Sequence, residues 1–150
     1  MVRIPPAALL LGLAGLIPFV WAALLVLQLF DVSNSPLPPV LKGDGRLIMI
    51  RYGGIILTFM AGVLFGFAAQ ARGLQAFAAY ALSVAPALWW FFMPGSGVTS
   101  ALTNLTTGFI GLLFLDYAFY RWGLAPPWWM TLRTQLTVVV VTCLCIGIFK

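Results

Sequence analysis

Histidine is absent from the 150 residues of this chain. That removes histidine-ligated haem, most zinc and iron sites, and any histidine-based triad or proton relay. Carboxylates are nearly as scarce, with three Asp or Glu against eight Lys or Arg, and none form a catalytic pair. No Ser, Cys or Lys stands beside a general base, and no glycine-rich phosphate loop adjoins a lysine. The sequence therefore offers no catalytic site, no metal site and no cofactor site, and an enzyme is not expected. Cysteine is limited to Cys143 and Cys145. Two positions apart in an apolar run, they turn to nearly opposite sides of a helix, which fits packing or lipid contact better than a disulfide or a metal.

Charge of either sign is sparse. Charged residues make up 7% of the chain, whereas a soluble domain carries about 25%. The net charge of +5 does not point to nucleic acid, because the basic residues sit singly at segment ends and form no patch.

What is abundant is apolar surface: 63% of residues are hydrophobic and the mean hydropathy is +1.07. A soluble globule of this size would still leave roughly 30% of its unfolded surface in water, so the excess must face lipid or partner proteins. The apolar residues come in runs of bilayer length. They predict an all-α integral membrane bundle of about five transmembrane helices, over residues 5–30, 46–70, 74–93, 98–120 and 130–149, in a single transmembrane domain spanning 1–150. The first run is too long and too well flanked for a signal peptide alone. No amphipathic Arg- and Ser-rich transit peptide precedes it, which favours a bacterial inner (plasma) membrane. Residues 31–45 read as a polar loop, with Asp44 as a helix cap. Pro86 falls inside the third run, where it should free a carbonyl and kink the helix unless Ser83 or a neighbour satisfies it. Trp122, Trp128 and Trp129, with Tyr117 and Tyr120, predict an aromatic belt at one face. Basic residues divide almost evenly between the two sides. Arg3 before the first helix and Asp31 after it place the amino terminus in the cytoplasm.

Three groups of residues stand out against this background. Gly54, Thr58, Gly62 and Gly66 form a ladder at helical spacing that predicts close helix packing, with other membrane proteins as possible partners through the Gly62/Gly66 face. Arg51 lies on the same stripe, facing protein or snorkelling from a helix end. Together with Asn104, in a second polar stripe from Ser100 to Gly111, it is a candidate lipid or ligand contact. Asp116 is the one acidic residue inside an apolar run, where a carboxylate costs about 3 kcal/mol at the bilayer centre. Arg133, at similar depth across a helical hairpin, is its expected partner. A structural ion pair is the favoured role, with a proton or cation site as the alternative.

Several stretches together resemble the uncharacterised family that includes transmembrane protein 69. They are Tyr52 to Gly66 (YGGIILTFMAGVLFG), Gly12 to Phe19 (GLAGLIPF), Ser83 to Pro86 (SVAP), Asp116, and the block Pro126, Trp128, Leu132, Arg133, Leu136 and Thr137. Leu64 departs from the polar or basic residue common in that family, and Phe65 from its tryptophan. The resemblance implies a multi-pass membrane protein of bacteria or, in eukaryotes, mitochondria, and brings no reaction, ligand or partner. The tryptophan-rich sensory proteins share the five-helix architecture, yet none of their characteristic blocks occurs here. The leading functional expectation is a non-enzymatic accessory, assembly or scaffolding component surrounded by membrane lipids. The alternative is a small transporter or a lipid- or quinone-like ligand binder.

Overall fold

Proline and glycine decide where each helix of this computed structural model starts and stops. The structure describes residues 3–150. Met1 and Val2, the extreme end of the domain read over 1–150 and of the orientation assigned to its amino terminus, lie outside the described residues. Helix α1 (Pro6–Ala14) opens on proline, where a missing N–H is harmless. Helix α2 (Ile17–Val26) carries Pro18 in its first turn. Pro18 has no N–H for the Ala14 carbonyl and crowds the preceding turn, so the chain breaks at Gly15 and Leu16. The single helix expected over 5–30 is thus two, and it stops earlier than expected. Gln28 turns left-handed at φ 58° and Leu29 N–H closes back on the Leu24 carbonyl at 3.2 Å, a Schellman-type stop.

Helix α3 (Gly45–Ala68) is capped by Asp44, whose Oδ1 accepts from the Arg46 backbone N–H at 2.9 Å. The third span divides into α4 (Gly73–Ser83) and α5 (Ala85–Phe92), with Pro86 in the first turn of α5. The Ser83 hydroxyl donates to the Tyr80 carbonyl at 2.7 Å, so it does not serve the Leu82 carbonyl that Pro86 releases. Helix α6 (Val98–Arg121) and helix α7 (Trp129–Phe149) complete the chain as an antiparallel hairpin. Among the described residues, five helical stretches of 20 to 24 residues are long and apolar enough to cross a membrane. At 1.5 Å per residue they reach about 30 to 36 Å, the thickness of the hydrocarbon core.

The second span is the hub. Helix α3 touches α2, α4, α5, α6 and α7, burying Gly53, Leu57, Ala61, Leu64 and Ala68 at intervals of three and four. Against it pack Phe19 of α2, Leu105, Phe109 and Leu112 of α6, and Leu144 of α7, all fully buried. Large apolar residues also point outward on the spans, including Leu11, Ile55, Phe77, Phe91 and Phe114, which is the pattern of a surface solvated by acyl chains. Helix α1 differs from the rest in having no buried residue. The expected aromatic belt needs one correction. Tyr117, Tyr120 and Trp122 are exposed, but Trp129 is buried because its indole N–H is drawn inward to a carboxylate.

Candidate functional site

The only ion pair within the described spans lies between α6 and α7. Trp129 and Arg133 stand four residues apart on α7 and so project from one face. The α6–α7 turn sets that face opposite Asp116. Gly123 makes the turn at φ 74°, and Leu124 N–H bonds the Phe119 carbonyl at 3.0 Å. Arg133 Nε donates to Asp116 Oδ2 at 2.9 Å, and Trp129 Nε1 donates to Asp116 Oδ1 at 3.0 Å. The Arg133 guanidinium carbon also lies 5.9 Å from the centroid of the Trp129 ring, within cation–π range. Asp116 is 0% exposed and Arg133 5%. Both carboxylate oxygens are therefore engaged and the charges cancel locally, which is the condition for holding ions in a low-dielectric interior. The role of Trp129 was not read from the sequence; its spacing of four from Arg133 was the available signal.

Two buried polar atoms beside the pair stay unsatisfied. Arg133 Nη2 and Thr137 Oγ1 are buried and have no hydrogen-bond partner among the described residues. Both residues line a crevice of about 150 Å³ between the first span, α3 and α7. Its other walls are apolar, among them Leu16, Phe19, Phe59, Phe109 and Val140. Two residues with unpartnered donors thus border an otherwise apolar slot.

The remaining predicted residues are dispersed. Arg51 is exposed on the outward face of α3 and makes no hydrogen bond or ion pair with the described residues. It faces away from the bundle because the inward positions of that helix belong to Gly53, Gly54 and Leu57, which corrects the option of a protein-facing arginine. Asn104 ties two elements together. Its Nδ2 donates to the Met93 carbonyl at 3.1 Å, and its own carbonyl accepts from Trp89 Nε1 at 2.8 Å, tying the end of α5 to α6.

The glycine ladder splits in two. Gly54 is buried against the Trp90 indole, where an added Cβ would collide. Thr58, Gly62 and Gly66 face outward, and an added Cβ at either glycine meets nothing within 4 Å. The face of α3 that packs within this chain is therefore the one carrying Gly53, Gly54 and Leu57, and Gly62 and Gly66 lie off it. Thr103 and Thr107 of the second stripe return their hydroxyls to carbonyls four residues back, while Gly108 seats Leu57 and Trp89.

A family model described as protein of unknown function (DUF3429) matches residues 4–149. Transmembrane protein 69 of Xenopus tropicalis is 35% identical over 141 residues, covering 91% of this chain and 51% of the relative. The chain thus spans about half the length of that curated relative. No solved structure matches.

Proposed function

The chain belongs to the family of proteins of unknown function designated DUF3429, and from that premise we propose that it is a non-enzymatic accessory, assembly or scaffolding component of the membrane. In this reading it seats a helix of another membrane protein on the outward face of α3. The supporting observation is the contrast among its glycines. Gly53, Gly54, Gly108 and Gly147 are each filled by a side chain of this chain, whereas Gly62 and Gly66 stand open on the same outward face as Thr58. Glycine within a helix costs about 1 kcal/mol relative to alanine, and in lipid that cost is offset where a second backbone approaches closely. We assign the chain to a bacterial inner membrane, and orient its amino terminus to the cytoplasm on the strength of Arg3 before the first span and Asp31 after it.

The test is purification from native membranes in mild detergent, comparing the wild type with Gly62→Leu. The expected result is a defined complex for the wild type and a free chain of unchanged thermal stability for the variant. A wild type that runs alone, or a variant that keeps the complex, overturns the reading. The crevice beside Arg133 supports a second reading, a membrane protein that binds a lipid or quinone-like ligand.

A further inference from the structure

Resting on that second reading, we propose that the crevice between α1, α3 and α7 is a binding site for one neutral, membrane-soluble amphiphile, whose carbonyl oxygen accepts hydrogen bonds from Arg133 Nη2 and Thr137 Oγ1.

Three observations carry it. The first is the pair of donors. Each belongs to a residue that is more than nine-tenths buried and lines the crevice, and neither atom has a partner among the described residues. An unpaired buried donor costs about 1 to 3 kcal/mol, and two such donors one helical turn apart on the same wall form a ready-made acceptor site. Arg133 is held in place by its Nε bond to Asp116, so its free nitrogen is positioned before any ligand arrives.

The second observation is charge. The Arg133 cation is already matched by Asp116 at 2.9 Å. A carboxylate or phosphate entering the crevice would add an uncompensated charge to a region walled by Leu, Phe, Ile, Met and Val. A neutral acceptor takes the hydrogen bonds without that penalty. The two donors therefore select for a carbonyl, of the kind found in a prenylated quinone ring or a glycerolipid ester.

The third is shape and access. The volume of about 150 Å³ matches an apolar cavity that takes up one benzene-sized ring. Lining positions run from Leu11 to Phe19 on the first span and from Arg133 to Val140 on α7, roughly 10 to 12 Å along the helix axes. The polar pair lies toward the α6–α7 turn, and the wall beyond it is apolar. Leu11 and Phe59, which line the mouth, are 71% and 64% exposed, so entry is sideways from the lipid. Helix α1, with no buried residue, forms the loosest wall. A head group would bond near the membrane surface while its chain follows the crevice inward.

Purified protein in dodecyl maltoside, a detergent without carbonyl groups, is titrated with three probes: a decyl-substituted benzoquinone, monoolein and oleate. Affinity is read by native mass spectrometry and thermal shift. The wild type is compared with Thr137→Val, which removes only the hydroxyl, and Thr137→Ser, which keeps it. The expected result is saturable binding of the quinone or monoolein, weakened roughly tenfold in Thr137→Val, the loss of about one hydrogen bond, and retained in Thr137→Ser. Whichever neutral probe binds tighter identifies the source of the carbonyl. Because the Thr137 hydroxyl has no partner among the described residues, Thr137→Val is expected to leave folding intact. Equal binding by the wild type and Thr137→Val overturns the assigned donor. Tighter binding of oleate, weakened in Thr137→Val, overturns the neutral chemistry while sparing the ligand-binding reading. Failure of all three probes removes both.

Discussion

The hydroxyl of Tyr52 reaches the carbonyl of Gly15, 37 residues earlier, at 2.8 Å. Gly15 sits in the break between α1 and α2 that Pro18 causes, where helical bonding is interrupted and carbonyls need other partners. Tyr52 meets that need from the hub helix, and its ring packs edge-on to Phe19 at 5.2 Å between centroids. Two stretches that carry the family resemblance, Gly12 to Phe19 and Tyr52 to Gly66, are joined at this point.

Replacing Tyr52 by Phe keeps the ring and removes the bond. The expected loss is about 1 kcal/mol of stability, read by chemical or thermal unfolding in detergent. A neutral effect would mean that the Gly15 carbonyl does not depend on this hydroxyl.

The buried pair gives a second prediction. Asp116→Asn or Arg133→Gln alone leaves one buried charge uncompensated and should cost about 3 to 5 kcal/mol. The double variant should recover much of that, since two neutral amides can bond each other, giving a positive coupling in a double-mutant cycle. Additive losses would place the contribution of each residue elsewhere.

Glycine substitutions separate the inward and outward faces of α3. Gly54→Ala drives a methyl into the Trp90 indole and should destabilise by about 1 to 3 kcal/mol. Gly66→Ala meets open space and should be neutral or stabilising by up to about 1 kcal/mol through helix propensity. Thermal unfolding of the two variants side by side decides it, and similar losses at both sites would count against this division of the helix.

At the end of α2, Gln28 holds a left-handed backbone at φ 58°, a conformation that strains side chains other than glycine by about 1 kcal/mol or more. Gln28→Gly should therefore raise the melting temperature, an unusual direction for introducing a glycine. A lowered value would show that the Gln28 side chain contributes more than the strain it carries.

The spans were legible in the sequence because bilayer thickness fixes their length, and no tertiary contact can override that. Breaks within them were less so. Pro86 reads as a kink, whereas the break at Pro18 is hidden because the apolar run continues unbroken on both sides of it. Asp116 could be matched with Arg133 because a carboxylate in an apolar run has few places to go. Its second partner is not legible because a tryptophan at a helix start reads as a membrane-surface anchor, and only the fold shows that Trp129 turns inward. Arg51 and Arg133 illustrate the same difficulty: both lie near the ends of apolar helices, and rotation about the helix axis, which composition does not encode, sends one to the lipid and the other to the core. The glycine ladder runs straight in sequence, while the contact surface of α3 covers only its Gly54 end.

Among the described α-helices, α1 alone has nothing buried, and it joins its neighbour across a proline break. Mechanically, that gives the molecule an outrigger. A bilayer a few ångströms thinner or thicker than the bundle imposes a mismatch that must be absorbed by tilt or strain, and the segment with the least buried surface, α1, is the one whose displacement disturbs the fewest core contacts.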